Sequence, residues 1–167
     1  MYGASLLSLI MRSAASMGLA YSNYFEPVNE GAIVVGQFSV SLTPLGLVMP
    51  LFAQHGAGRR LEAAPLLEQP YILPTVTLHG SSEGGGAPFV LLTLVNRNAT
   101  QAFVQPLSLL GLSAPPPAAA STLTYAATGP TADSTFTVSQ GAVPIAGAGA
   151  LAVPCPAYSV VQVRVEL

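Results

Sequence analysis

Seven carboxylates are all the acid this chain carries, Glu26, Glu30, Glu62, Glu68, Glu83, Asp133 and Glu166, and their placement limits the chemistry open to it. Hydrolysis of a glycosidic bond needs two carboxyl groups facing each other across it, one donating a proton and one acting as nucleophile or base. Glu166 sits on an alternating strand, Asp133 follows a Gly-Pro turn and Glu83 lies in a glycine run, so each reads as a solubilising residue. Glu26 and Glu30 stand apart: with Asn23 and Asn29 they fall in or beside a loop that follows a short apolar, aromatic segment, Leu19 to Phe25. Loops after buried strands line the active face of (β/α)8 barrels, which makes Asn29 and Glu30 the candidate substrate-binding residues. The plainer alternative is that Asn29 and Glu30-Gly31 only shape a turn. No residue qualifies as catalytic.

Other chemistries find less. His55 and His79 have no Cys, His or Asp nearby at metal-ligand spacing, so neither a metal nor another cofactor is expected. His55 closes a helix, where an imidazole suits the negative end of the dipole, and a structural role is the reading for both. Cys155 is the one cysteine, which rules out an intrachain disulfide and the zinc spacings. No Gly-x-Ser-x-Gly elbow is present. The run from Gly80 to Gly86 lacks the Lys-Ser/Thr ending of a phosphate loop and reads as a flexible hairpin-like connection. Asn98-Ala99-Thr100 fits the N-glycosylation pattern, which has meaning only in a secreted eukaryotic setting.

The elements that must hold these residues change character along the chain. Residues 4 to 19 have helical spacing, with Leu7, Ile10, Ala14, Met17 and Tyr21 on one face and Ser8, Arg12 and Ser16 on another. None of Met1, Tyr2 and Gly3 is a good N-terminal cap, so this helix is expected to be entered from further sequence. The apolar run Leu6 to Met11 has no positive charge before it and is soon broken by Arg12, so it reads as a core helix and not as a signal peptide or spanning helix. Ala32 to Val35 and Phe38 to Leu42 are short extended pieces. Thr43-Pro44 opens a second helix, with Thr43 as cap and Pro44 at its first position. It runs to about His55 and stops at Gly56 and Gly58, with Pro50 inside it as a source of strain.

From Arg60 the signals are those of strands: Arg60 to Leu66, Tyr71 to Leu78, Phe89 to Val95, Ala102 to Leu110, Ser121 to Ala126, Thr135 to Ser139 and Tyr158 to Leu167. Pro65 and Pro74 demote the first two to edge positions. The clearest is the last, where Val161, Val163, Val165 and Leu167 alternate with Gln162, Arg164 and Glu166, one face buried and one wet. Such strands in series predict a mainly β chain ending in an antiparallel β-sandwich. The expected division is 1–58, a helix-strand-loop-helix segment, and 59–167, the sandwich.

Composition restricts partners. Hydrophobic residues make up 51% of the 167 and charged residues 7%, against five arginines, no lysine and a formal net charge of −2. Soluble domains carry about 25% charged residues, so much of this surface is expected to be covered by more protein, and a homo-oligomer through the N-terminal helices is one way to do it. The basic residues are too few to hold a nucleic acid backbone or an anionic membrane surface. A carbohydrate partner stays open.

Asn23-Tyr24-Phe25-Glu26-Pro27-Val28-Asn29-Glu30-Gly31-Ala32-Ile33, Leu42-Thr43-Pro44 and Leu51-Phe52-Ala53-Gln54-His55-Gly56 together resemble the end of the barrel in α-L-arabinofuranosidase-like glycoside hydrolases. Leu94-Val95-Asn96-Arg97 and Pro156-Ala157-Tyr158-Ser159-Val160 are similar to two strands of that family's C-terminal sandwich. The resemblance implies that residues 1–58 are the last helix, strand and helix of a (β/α)8 barrel and that the remainder is its accessory β-sandwich. It also implies that the acid/base and nucleophile glutamates lie on earlier barrel strands, so that no residue here inherits either role. The chain would then be structural or carbohydrate-contacting. The alternative is a stand-alone carbohydrate-binding or adhesion-type sandwich capped by its own helices.

Overall fold

The computed structural model describes residues 2–17, 32–63, 70–80, 86–112, 117–129, 136–147 and 149–167. The chain runs through α1 (Tyr2–Met17), β1 (Ile33–Val35), β2 (Val40–Leu42), α2 (Pro44–Ala53), a 3-10 turn (Gln54–Ala57), β3 (Arg59–Arg60), β4 (Ile72–His79) and β5 (Phe89–Asn96). It continues through β6 (Phe103–Ser108), β7 (Ala119–Ala127), β8 (Phe136–Pro144), β9 (Ala150–Cys155) and β10 (Ser159–Glu166). The chain is mainly β, as its strand signals imply.

Six strands form one antiparallel sheet in the order β3-β4-β5-β10-β7-β8, and β6 pairs with β9 in a second, two-stranded sheet. Alternation along β10 drives the layering. Val161, Val163 and Val165 are each at most 2% exposed and share a core with Val90, Leu92 and Leu94 of β5 and with Leu151, Val153 and Cys155 of β9. On its other face Val160 packs with Val95, Ala4 of α1 and Val48, Leu51 and Phe52 of α2. The helices therefore cover the outer face of the large sheet, and that apolar cluster draws on residues from both sides of position 58.

Local chemistry explains most element ends. Thr43 Oγ1 accepts from the Gly46 amide at 3.2 Å, with Pro44 in the first turn. Pro50 sits inside α2, and after Ala53 the chain tightens into the 3-10 turn. β1 and β2 form a short antiparallel hairpin. β4 and β5 pair along their whole lengths, Ile72 opposite Asn96 and His79 opposite Phe89, which is the hairpin that the glycine run implies.

Several expectations shift. The first helix starts two residues early, and its inner face is centred on Ala4 and Ser8 while Leu6 and Leu9 are exposed. Small residues bring the helix close enough for Ser8 Oγ to bond Thr75 Oγ1 at 2.8 Å. Of the strand expected over Arg60 to Leu66, the described residues 61–63 are not strand and β3 ends at Arg60, although the Leu61 amide still donates to the Val76 carbonyl at 3.0 Å; residues 64–66 lie outside the described residues. Pro74 is not on an edge strand, yet β3 pairs only with Thr77 and Leu78, so over Pro74 the strand has one partner and its missing N–H is harmless. β9 was absent from the expected strands because Pro154, Pro156 and the small residues around them mask it. Its period of two is nonetheless plain, with Leu151, Val153 and Cys155 buried and the residues between them exposed. The expected strand Leu19 to Phe25 lies outside the described residues.

The two sandwich motifs singled out in the sequence meet in space. Asn96, fully buried, donates from Nδ2 to the carbonyls of Gln101, Cys155 and Pro156 and accepts the Asn98 amide on Oδ1. Ser159 Oγ donates to the same Pro156 carbonyl at 2.7 Å, and the Tyr158 amide to Asn98 O at 2.7 Å. Tyr158 holds φ 50° in this turn. One asparagine thus stitches the end of β5 to the turn between β9 and β10.

Gly46 marks where α2 meets the hairpin. A Cβ built on it would overlap the Ala32 carbonyl, whose oxygen accepts the Thr43 amide at 2.9 Å. Gly46→Ala is expected to cost roughly 1–3 kcal/mol by forcing that backbone apart. Gly56→Ala, with nothing within 4 Å of the added carbon, should stay within about 0.5 kcal/mol of the parent. Equilibrium urea unfolding of both variants measures this; matching midpoints would refute the close approach.

Candidate functional site

The densest polar chemistry among the described residues lies where α2 and its 3-10 turn press on the large sheet. Strand register brings Thr75, Thr93 and Gln162 into one row across β4, β5 and β10, with Thr77 and Leu91 in the next row. Into this patch the 3-10 turn inserts His55, 1% exposed. Its Nδ1 lies 2.8 Å from Thr77 Oγ1 and its Nε2 lies 2.8 Å from Thr93 Oγ1. Thr77 Oγ1 is also 3.0 Å from Nε2 of His79. Gln162 Nε2 reaches the Leu51 carbonyl at 3.0 Å and Thr93 Oγ1 at 3.4 Å.

Proton counting gives this chain of bonds a direction. An amide nitrogen only donates, a hydroxyl has one hydrogen, and a neutral imidazole donates from one nitrogen and accepts on the other. With Gln162 donating to Thr93 and the Thr93 hydrogen turned toward His55 Nε2, His55 donates from Nδ1 to Thr77 and Thr77 donates to His79 Nε2. In this arrangement both imidazoles are neutral. A glycine at position 58 completes the seat, since a Cβ there would stand 2.5 Å from His79 Nε2.

Electrostatics agree with that count. Burial, and then the positive charge that His79 would carry, lower the pKa of His55 to about 4. Burial and then Arg164 also lower that of His79. The His79 ring stacks on Phe89, centroids 4.4 Å apart and planes 4° from parallel. The Arg164 guanidinium lies 3.7 Å from the centre of the same phenyl ring, a cation–π contact. Nε of Arg164 donates to Glu166 at 2.6 Å, with both side chains about half exposed.

Beside the histidine network lies a polar cleft of about 300 Å³ lined by Gln54, Ser121, Gln140, Gln162 and Arg164 over Leu91 and Leu123. Amides, a hydroxyl and a guanidinium suit a hydroxyl-rich or carboxylate-bearing molecule. The cleft supplies hydrogen bonds but no carboxylic acid to move a proton.

Asn29 and Glu30 lie outside the described residues, as do Glu26, Glu68, Glu83 and Asp133. Of the remaining acids, Glu62 is exposed after β3 and Glu166 is paired with Arg164. Among the described residues no group of three or more His, Cys, Asp or Glu is placed to hold a metal ion, and no helix is long and apolar enough to cross a membrane. Cys155 is buried, its thiol pushed up to about 12 by that burial. The face of β10 read as wet is wet only at its end: Gln162 is 6% exposed because α2 covers it. No local signal marks it, since alternation says which residues share a face and not what covers them.

No protein-family model matches the chain, and no curated protein matches it. Solved structures do. The arabinose-bound α-L-arabinofuranosidase MgGH51 superposes with TM-score 0.63 at 12% identity, over 90% of this chain and 22% of that one. The thermostable GH51 α-L-arabinofuranosidase from Thermotoga petrophila gives 0.58 at 16% identity, over 83% and 32%. The α-L-arabinofuranosidase from Thermotoga maritima gives 0.56 at 18% identity, over 84% and 32%. The chain thus has the fold of part of these enzymes and spans about a third of their length or less.

The histidine network makes stability depend on pH. With His55 lowered to about 4 from 6.5, the unfolded chain binds a proton that the folded one refuses throughout the window between those values. The stabilisation is complete above about pH 6.5 and falls as pH drops toward 4, by on the order of 3 kcal/mol. His79 acts in the same direction. Thermal unfolding at about pH 7.5 and about pH 5 should show a lower midpoint in acid, with His55→Gln less stable at the higher pH and less sensitive to the change. A wild-type midpoint level across the two would contradict neutral burial.

Proposed function

We propose that this chain is the accessory, non-catalytic region of a glycoside hydrolase of the α-L-arabinofuranosidase type, its sandwich serving to hold the end of a catalytic barrel. The observation that carries this is the one-sided coverage: 83–90% of the chain finds a counterpart in part of such enzymes, while that part is 22–32% of their length. On this reading α1 and α2 are the barrel's last helices, and the hydrogen-bond chain from Gln162 to His79 keys them to the sandwich. Asn29 and Glu30, which precede the β1–β2 hairpin in sequence, would face the substrate of the complete enzyme without performing its proton transfers. The catalytic carboxylates would come from polypeptide outside this chain.

A carbohydrate-contacting role is supported by one feature, the polar cleft around Gln54, Gln140 and Arg164. It separates cleanly from the structural role. The chain by itself is expected to release no 4-nitrophenol from 4-nitrophenyl α-L-arabinofuranoside, and turnover lost in Glu30→Gln would overturn the non-catalytic reading. Calorimetric titration with arabino-oligosaccharides should give no heat if the sandwich is structural. Binding that Arg164→Ala weakens would instead assign the cleft to sugar.

A further inference from the structure

We propose that Asn98 is a site of N-glycosylation, its side-chain amide carrying an oligosaccharide on the turn between β5 and β6. The site does not rest on the function proposed above. The chain's asparagines are Asn23, Asn29, Asn96 and Asn98, and only Asn98 is followed two residues later by Ser or Thr, in Asn98-Ala99-Thr100. Arg97, Ala99, Thr100, Gln101 and Ala102 are exposed and Asn98 is half-buried. A bulky sugar chain therefore finds open surface around its point of attachment.

Bonding within the turn leaves the reactive atom spare. Asn98 Oδ1 accepts from the backbone amides of Thr100 and Gln101, each at 3.0 Å, and from Thr100 Oγ1 at 3.2 Å. Two backbone N–H donors fix which arm of the side chain is oxygen, because the flipped amide would set donor against donor. The Asn98 carbonyl accepts the Tyr158 amide, and the Asn98 amide donates to Asn96 Oδ1. Nδ2 alone is left without a partner among the described residues, and it is not a buried atom. Asn96, two residues earlier, is the contrast, since its Nδ2 donates to three carbonyls inside the fold.

Glycosylation joins Nδ2 to the anomeric carbon of a lipid-pyrophosphate-linked oligosaccharide. The bond from that carbon to the phosphate oxygen breaks, the lipid pyrophosphate leaves with the electron pair, and one Nδ2 hydrogen departs as a proton. The product is still an amide whose Oδ1 keeps all three donors. Modification and fold are compatible at this position. Such sugar donors belong to secretory compartments, where exposed thiols oxidise; Cys155, the one cysteine, is buried and offers no exposed sulfur.

The test directs the full 167-residue chain into the secretory pathway of insect cells behind a cleavable signal peptide. Protein recovered from the medium or the lumenal fraction is weighed by mass spectrometry before and after peptide N-glycosidase. A single N-glycan at Asn98 is expected, released by the enzyme with conversion of that asparagine to aspartate. Thr100→Ala should lose the glycan and Thr100→Ser should keep it, because the acceptor pattern requires the hydroxyl. Asn98→Asp removes the amide but keeps an oxygen for the turn, so it should give an unglycosylated chain with the parent's circular dichroism. Recovered protein unmodified at Asn98 overturns the site, as does a glycan that survives Thr100→Ala. The same chain made in bacteria lacks the glycan and should unfold at no higher temperature than the glycosylated form; a higher midpoint for the bare chain overturns the compatibility of sugar and turn.

Discussion

A neutral imidazole buried between a helical layer and a sheet is the constraint on which the rest of this structure depends. His55 has two nitrogens to satisfy away from water, and leaving either unpaired would cost about 1–3 kcal/mol. Two adjacent strands supply a threonine each, at positions where a sheet interior would ordinarily carry valine. Those threonines need the imidazole in turn, so α2 must end over them, and Thr43, Pro44 and Gly46 set where α2 begins. Gln162, one strand further in, donates to Thr93 and also ties the Leu51 carbonyl of α2 to the sheet. The attachment of helices to sheet is therefore specific in position as well as favourable in burial.

The two faces of the large sheet differ because their partners do. Toward β6 and β9 the contact is aliphatic and tolerant of position, which suits a layer of only two strands and leaves a large cavity beside it. Toward the helices it combines an apolar patch at Val95 and Val160 with a polar seam at Thr75, Thr77, Thr93 and Gln162. Apolar burial there supplies most of the favourable free energy; the polar seam selects one seating of the helices. β10 carries both roles on alternate residues, which is why the central strand can be so regular and yet have unlike faces.

Likeness to arabinofuranosidases extends across both the helical and the sandwich parts of the chain, at identities of 12–18%. What persists at that distance is the arrangement of layers. The motifs of the family resemblance that fall within the described residues are junction residues in this structure. Thr43-Pro44 starts the helix, His55 seats its end, and Asn96 with Pro156 to Ser159 closes the turn into the central strand. Residues of this kind satisfy buried backbone or side-chain polar groups, and such obligations are harder to exchange than a core valine.

Period-two alternation identified β10, apolar runs between Gly and Pro punctuation identified β4 and β5 nearly to the residue, and the Thr-Pro cap identified the start of α2, because all follow from interactions among residues close in sequence. Alternation in Leu151, Val153 and Cys155 was equally present but overshadowed by the flanking prolines. The carboxylate inventory was also readable directly, while the candidate residues Asn29 and Glu30 lie beyond the described part of the structure. By itself, then, the sequence determined the mainly β character, the start of α2 and the scarcity of acid. Only the tertiary structure decided that Ser8, Gln105 and Gln162 are buried and that His55 meets Thr77 and Thr93. These are contacts between residues tens of positions apart, and local patterning specifies which residues share a face without specifying what comes to lie against it.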